Sequence, residues 1–494
     1  MKKIIVFSMC AIVALVSCQK SGDLNSSENG NKMMVMAAID NGGQTKTTAQ
    51  DEGDVTKVLW SDDDVFAMSV KGGDFAKFVL TSGAGSQVGT FEPEGAVAEG
   101  ESTGYVAYYP YAAGITYAEG KLGVNFPAEQ SYAANSIAAA PMVAVSETEN
   151  LKFVNVASLV KITLQGDATI KKITLTGNND DVLAGAAEVT VGETPVLTLA
   201  AGADAKVITL DCGEGVALTE EGVDFYFALP AVTLEKGFTI KAVDADGTHM
   251  IKSTNVENAV VLTASKVKVY PPVEYAVTWE EVADEEALNA AFAAGSCVKL
   301  TEDITLTDYI ELRSAEVVLD LNGKDLVHPA SSAALYKDVI EVYTGGVLTI
   351  VGDGELRAED GYCIYAAGDA VVNINGGNYY SVISAVDARK NATVTINAGV
   401  FNVDPEANPS GNQYGHTFTL NLRDKTGSYT GELANIIVKG GEYLNYNPAA
   451  SESEPTTVNF VAEGYMVVNK ADETQVLTLP HNPEGEDIWY KVVK

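Results

Sequence analysis

The stretch Val372-Asn373-Ile374-Asn375-Gly376 is followed 22 residues on by Val394-Thr395-Ile396-Asn397-Ala398, and close copies lie on both sides. Upstream are Val318-Leu319-Asp320-Leu321-Asn322-Gly323 and Leu348-Thr349-Ile350-Val351-Gly352, and downstream is Ile436-Ile437-Val438-Lys439-Gly440. With Gly323, Gly352, Gly376, Ala398 and Gly440 as markers, the steps are 29, 24, 22 and 42 residues. A short apolar strand ending in Asn-Gly or Gly-Gly at such a spacing predicts one turn of a parallel β-helix, in which each turn buries its apolar edge against the next. The longest step holds one turn and an excursion through residues 404–412. Residues 298–306 supply opening strands, while residues 460–465 and 488–493 are expected to close the far end.

Working back from the repeat, residues 279–295 are the one credible helix. Val282, Leu288, Ala291 and Phe292 can share a face, acids fill the early turns, and Gly295 suits the carboxy-terminal cap. An open first turn needs a cover, and this helix is placed to provide it. Tyr270-Pro271-Pro272 before it reads as a boundary. From residue 33 to 270 the pattern changes to short apolar or alternating runs broken by Gly, Asn and Asp, which predicts antiparallel sandwiches. About 235 residues suit two of them, divided near residue 150. The expected order is a signal peptide (1–17), a flexible tether (18–34), sandwiches over 35–150 and 151–272, a linker and capping helix (273–296), and the β-helix over 297–494.

Two resemblances follow. Trp60-Ser61-Asp62-Asp63-Asp64-Val65, Tyr105-Val106-Ala107-Tyr108-Tyr109-Pro110-Tyr111, Phe126-Pro127-Ala128-Glu129-Gln130, residues 153–162 and Phe225-Tyr226-Phe227-Ala228-Leu229-Pro230 come in an order and spacing that resembles the fimbrillin-like lipoproteins. That resemblance implies transthyretin-like sandwiches and a surface role as a shaft, anchor or tip subunit. It also implies that shaft subunits polymerise after cleavage at an arginine in the amino-terminal arm, but this arm contains none. The four arginines are Arg313, Arg357, Arg389 and Arg423. The repeat half resembles the pectate-lyase-like right-handed β-helix of many surface proteins. The fold class expected is therefore all-β: two tandem antiparallel sandwiches, then a right-handed parallel β-helix with one capping helix.

The amino terminus sets the address. Lys2 and Lys3 precede an apolar run too short to span a bilayer comfortably, which reads as an export signal. Leu15-Val16-Ser17-Cys18 resembles a lipobox, which implies lipidation of Cys18 and attachment to the outer membrane, expected on the cell-surface side with the periplasmic face as the alternative. The chain carries 67 acidic and 32 basic residues, a formal charge of −35, so electrostatic binding to nucleic acid is excluded. Cys212, Cys297 and Cys363 have no metal-like spacing and do not make a disulfide framework. They read as buried thiols, with room for one bridge.

Catalysis on the β-helix would call on Asp387-Ala388-Arg389-Lys390, with Arg357, Glu359 and Asp360 one turn earlier, as paired carboxylates and a base. Charged corners are the default surface of a solenoid, and His249, His328, His416 and His481 form no triad or metal spacing. The expectation is a protein that is not an enzyme and needs no cofactor or metal. The adjacent acids Asp62, Asp63 and Asp64 read as a solvated turn rather than a calcium site. For glycan contact the candidates are Tyr379, Tyr380, Tyr443 and Tyr446, just after Gly377 and Gly441, and Tyr414 in the excursion; the same rings can instead stack within the wall. The reading is a lipid-anchored adhesin or accessory fimbrial subunit whose partners are the membrane, glycans or other surface proteins. The alternatives are a polysaccharide lyase or glycosidase, and a structural coat protein.

Overall fold

The computed structural model describes residues 33–39, 48–52, 55–134, 140–192, 194–330, 338–404, 406, 418–423, 434–453, 456–478 and 487–494. Among them the chain is strand throughout apart from short turns and one helix, Glu285–Ala294.

Seven strands close the first region as a barrel: Val35–Ile39, Asn150–Asn155, Met142–Ser146, Tyr105–Tyr109, Val65–Val70, Phe75–Ser82 and Val88–Pro93. An open two-layer sandwich was expected. Closure comes from Val35–Ile39, which pairs in parallel with Asn150–Asn155 and antiparallel with Val88–Pro93, leaving neither edge free. Trp60 fills the barrel, fully buried, edge-on to Phe91 and Phe153, with its indole N–H donating to the Ala37 carbonyl at 2.9 Å. Asp64 is buried and accepts from Tyr109 at 2.8 Å, while Asp62 and Asp63 are exposed in the turn.

The run Tyr105–Tyr109 is buried at every position, so it does not alternate. Tyr105, Ala107 and Tyr109 face the barrel interior, while Val106 and Tyr108 join the core of the next region. That region holds a five-stranded sheet (Glu129–Ser131, Val207–Ala217, Thr169–Gly177, Phe238–Asp244, His249–Ser253) and a four-stranded one built on Ser158–Gln165 and Val223–Leu229. Strand pairing crosses a cut at residue 150. Lys121–Phe126 pairs with Gly185–Thr190, while Asn150–Asn155 belongs to the barrel.

From Cys297–Leu300 to Val400–Val403 every strand pairs in parallel with the strand three places later, and Trp279–Val282 pairs with Cys297–Leu300, which builds three sheets. The first contains Trp279–Val282, Cys297–Leu300, Glu316–Asp320, Val347–Val351, Val371–Ile374, Thr393–Ile396 and Asn435–Val438. The second runs through Ile304–Thr305, Lys324–His328, Gly354–Ala358, Asn378–Ser381, Val400–Val403 and Glu442–Leu444. The third is Ile310–Leu312, Ile340–Val342, Tyr362–Ala366, Ser384–Ala388 and Leu420–Leu422. Ile350, Ile374, Ile396 and Val438 register with one another as the repeat predicts, but Leu319 faces Ile350, two residues further than the glycine markers place it. Each turn thus gives one strand to each sheet, and alternate side chains point into a shared interior.

The helix is capped by Asp284, whose carboxylate accepts from Ala287 N, and by Gly295 at φ 71°. It begins later than the sequence suggests. Trp279–Val282 is a strand, pairing with Cys297–Leu300, and both of its acidic residues are exposed. Leu288, Ala291 and Phe292 join the core of the coil. At the other end Trp489–Val493 runs antiparallel to Glu442–Leu444 and to Met466–Asn469, which ends the parallel stacking. Cys212, Cys297 and Cys363 are free and buried.

Candidate functional site

The outer face of the third sheet carries the densest chemistry of the coil. Ile310, Ile340, Ile364, Val386 and Leu420 point inward, so the residues after them form an outward row: Glu311, Glu341, Tyr365, Asp387 and Asn421. Arg313, Arg389 and Arg423 close three of these strands, so three of the four arginines sit along one face.

At its centre Asp387 is fully buried although it points outward. Arg389 Nε lies 2.5 Å from Asp387 Oδ1, and Asn421 Nδ2 donates to Oδ2 at 2.7 Å. Both oxygens are occupied, which is what a desolvated carboxylate requires. The guanidinium lies 4.7 Å from the centre of the Tyr365 ring, and Arg423 donates to the Tyr362 hydroxyl at 3.3 Å. One turn earlier Asp338 accepts from the Tyr362 backbone N–H at 2.8 Å and shares a hydrogen bond with Glu341. Burial raises the carboxyl groups of both, so the two side chains hold a proton between them above the usual carboxylate range. Tyr343 donates to Glu341, and its ring lies 5.6 Å from that of Tyr365.

A short motif repeats on the strands of the coil: Glu311-Leu312-Arg313, Glu355-Leu356-Arg357 and Asp387-Ala388-Arg389. In each, the middle residue points inward while acid and arginine pair outside, at 2.6, 2.6 and 2.5 Å. Each guanidinium also lies over a tyrosine of the neighbouring turn: Arg313 over Tyr343 at 3.7 Å, Arg357 over Tyr380 at 4.1 Å, and Arg389 over Tyr365. The motif ties one turn to the next. It was visible in the sequence as an acid two places before each of three arginines.

The expected residues are placed differently from one another. Tyr379 and Tyr443 are fully buried and stack on either side of Phe401 at 4.8 and 4.9 Å. Their hydroxyls donate back to the Gly376 and Gly440 carbonyls, both at 3.0 Å. Tyr446 is buried and donates to the Leu420 carbonyl. These three rings are wall packing and offer no face to a glycan. Tyr380 alone of the described four points outward, half-buried beneath Arg357. Tyr414 and Cys18 lie outside the described residues. Arg357 belongs to the second sheet while Asp387 and Arg389 belong to the third, so the catalytic set considered above is divided between two faces. Asp338, Glu341, Tyr343, Tyr362 and Asn421 were not anticipated. Among the described residues no cluster of histidine, cysteine and acids is arranged for a metal, and no helix is long and apolar enough to cross a membrane.

No protein-family model and no curated protein matches the chain. Solved structures do. A proposed cell adhesion protein of Bacteroides ovatus matches at 11% identity and a TM-score of 0.33, over 49% of this chain and 92% of its own. A fimbrial protein of the same organism matches at 12% identity and 0.24, over 50% and 52%. A proposed cell adhesion protein of Bacteroides fragilis matches at 10% identity and 0.23, over 49% and 93%. Likenesses this weak carry no argument, and the functional reading rests on the chain's own residues.

Proposed function

We propose that this is a lipid-anchored surface protein of the adhesive or fimbria-associated kind. In this reading the two antiparallel regions form the stalk, and a right-handed β-helix is the part presented to a glycan or protein partner. Cys18 is the lipid attachment point. The ligand-facing surface is the third sheet's outer face, with Tyr343, Tyr365 and Glu341 as its accessible centre. The observation that carries this reading is the concentration there of outward aromatic, carboxylate and guanidinium groups on a rigid parallel sheet. Asp387 supports a non-catalytic role, since both oxygens are engaged and the group is sealed from solvent.

A second reading has one observation in its favour. Asp338 and Glu341 are adjacent carboxyl groups that burial raises, the kind of group a glycosidase uses as its acid. One experiment separates the two. The full chain is screened on a glycan array and incubated with the same polysaccharides, alongside Tyr365→Ala and Glu341→Gln. Binding without turnover, weakened tenfold or more by Tyr365→Ala, is the expected result. Turnover lost in Glu341→Gln would establish the enzyme instead, and neither binding nor turnover would leave the face without a glycan role.

A further inference from the structure

The first coil sheet also has an outward row: Cys297, Val318, Thr349, Asn373 and Thr395. Residues on the outside of a solenoid should be wet, and Asn373 and Thr395 are partly so. Cys297, Val318 and Thr349 are 0%, 1% and 5% exposed, yet none belongs to the coil's interior. The second antiparallel region covers them. A Cβ built on Gly247, in the turn before His249–Ser253, would stand 3.7 Å from Thr349 Oγ1 and 3.8 Å from Val318 Cγ2. His249 Nδ1 lies 3.1 Å from Cys297 Sγ, and the His249 backbone N–H donates to the same sulfur at 3.3 Å. Lys172 meets Glu316 at 3.5 Å at the rim. One turn and its flanks therefore cover three consecutive turns of the coil.

The covalent link is held down as well. Val267–Val269 pairs with Leu159, Val160 and Lys161, and Tyr270 N donates to the Lys161 carbonyl at 3.2 Å. Pro271 and Pro272 have no N–H to satisfy. Val273–Glu274 pairs with Leu164 and Gln165, and Tyr275 N donates to the Gln165 carbonyl at 2.9 Å. The Tyr275 hydroxyl donates to Asp244 at 2.9 Å. Thr278 N donates to the His249 carbonyl, and Thr278 Oγ1 accepts from Ile251 N, both at 2.9 Å. The next residue already belongs to the coil. A flexible linker leaves its backbone to solvent, whereas this one is bonded to the stalk along its length.

We propose that this junction is a fixed dock rather than a hinge, so that the coil is carried on the stalk in one orientation, with the Cys297 thiol sealed inside the dock. Such coupling suits a surface protein under load, because a pull on the coil passes directly to the sheets of the stalk. It stands whether or not the third sheet binds a glycan.

The three described cysteines report on different openings. Cys212 lies in the core of the second region and Cys363 in that of the coil, so unfolding of either region exposes one of them. Opening of the dock alone exposes Cys297. The experiment is pulsed alkylation of the full chain with iodoacetamide, read residue by residue by mass spectrometry. In a fixed dock Cys297 reacts no faster than Cys212 or Cys363. Tyr275→Phe combined with Thr278→Ala then speeds Cys297 alone by tenfold or more, and Lys172→Glu, at the rim, shifts it in the same direction. Wild-type Cys297 reacting tenfold faster than the other two would overturn the proposal, as would a Cys297 rate unchanged in both variants. If the double variant unfolds, all three rates rise together, and the wild-type comparison with Lys172→Glu decides.

Discussion

His249 is 2% exposed, and burial, reinforced by the Lys241 ammonium and opposed by Asp244, lowers its imidazole to about 4. Burial pushes the Cys297 thiol up to about 11, so the pair meets as neutral thiol and neutral imidazole. In the unfolded chain the ring titrates near 6.5. Between these values the unfolded state binds more protons, so stability from this residue is complete above pH 6.5 and is lost as the pH falls towards 4. The full window corresponds to at most about 3 kcal/mol. His249→Phe keeps the bulk and removes the charge. Urea unfolding at pH 7 and pH 4.5 should show a smaller midpoint loss for the variant, and equal losses would refute the assignment. Residue-scale reading of the sequence also had a limit that Tyr379 and Tyr380 make plain. Neighbours on a strand point to opposite faces, so only one of them could be outside. Which one depends on register with Leu356 and Phe401, a fact of pairing that composition does not contain.

At the scale of elements, the repeat was the most legible feature because its cause is local. Every turn needs an inward aliphatic pair and a tight corner, and Gly440 shows how tight: a Cβ there would stand 2.0 Å from the Asn397 carbonyl oxygen. The helix cap at Gly295 was legible for the same reason. Trp279–Val282 was not, since its acids suit a first helical turn and only its partner Cys297–Leu300, reached through the helix, makes it a strand. The aromatic ladder tests how much one element contributes. Phe401 stacks against Tyr379 and Tyr443 within the coil, with interplanar angles of 10° and 8°. Phe401→Ala removes the ring stacked between Tyr379 and Tyr443 and should cost about 3–5 kcal/mol, whereas Phe401→Leu should cost clearly less. Thermal unfolding followed through Trp489 fluorescence, in the strand beside Glu442–Leu444, measures the difference. Equal and small losses would mean that the wall repacks around the gap.

At the scale of the whole molecule, the first strand decides whether the first antiparallel region is a closed body. Val35, Ala37 and Ile39 enter the barrel core at 0%, 0% and 6% exposure, and the strand hydrogen-bonds to neighbours on both sides. Without it, Asn150–Asn155 and Val88–Pro93 would each present an unpaired edge beside an open apolar groove, a template for another chain's strand. The amino-terminal arm contains no arginine, so an arginine-specific protease has no means of releasing this strand. While Val35–Ile39 is in place, the closed barrel offers no free edge to another chain's strand. A chain beginning at residue 40 should be less stable and should self-associate, as read by light scattering. A peptide of residues 33–39 added in excess should return it to a stable monomer, because the peptide refills both edges at once. A variant with Val35 and Ala37 both replaced by Asp in that peptide should not rescue, since buried unpaired carboxylates oppose docking. If the shortened chain stays monomeric and as stable as the full one, the strand only lies on the barrel, and closure of the first region has to come from the antiparallel strands alone.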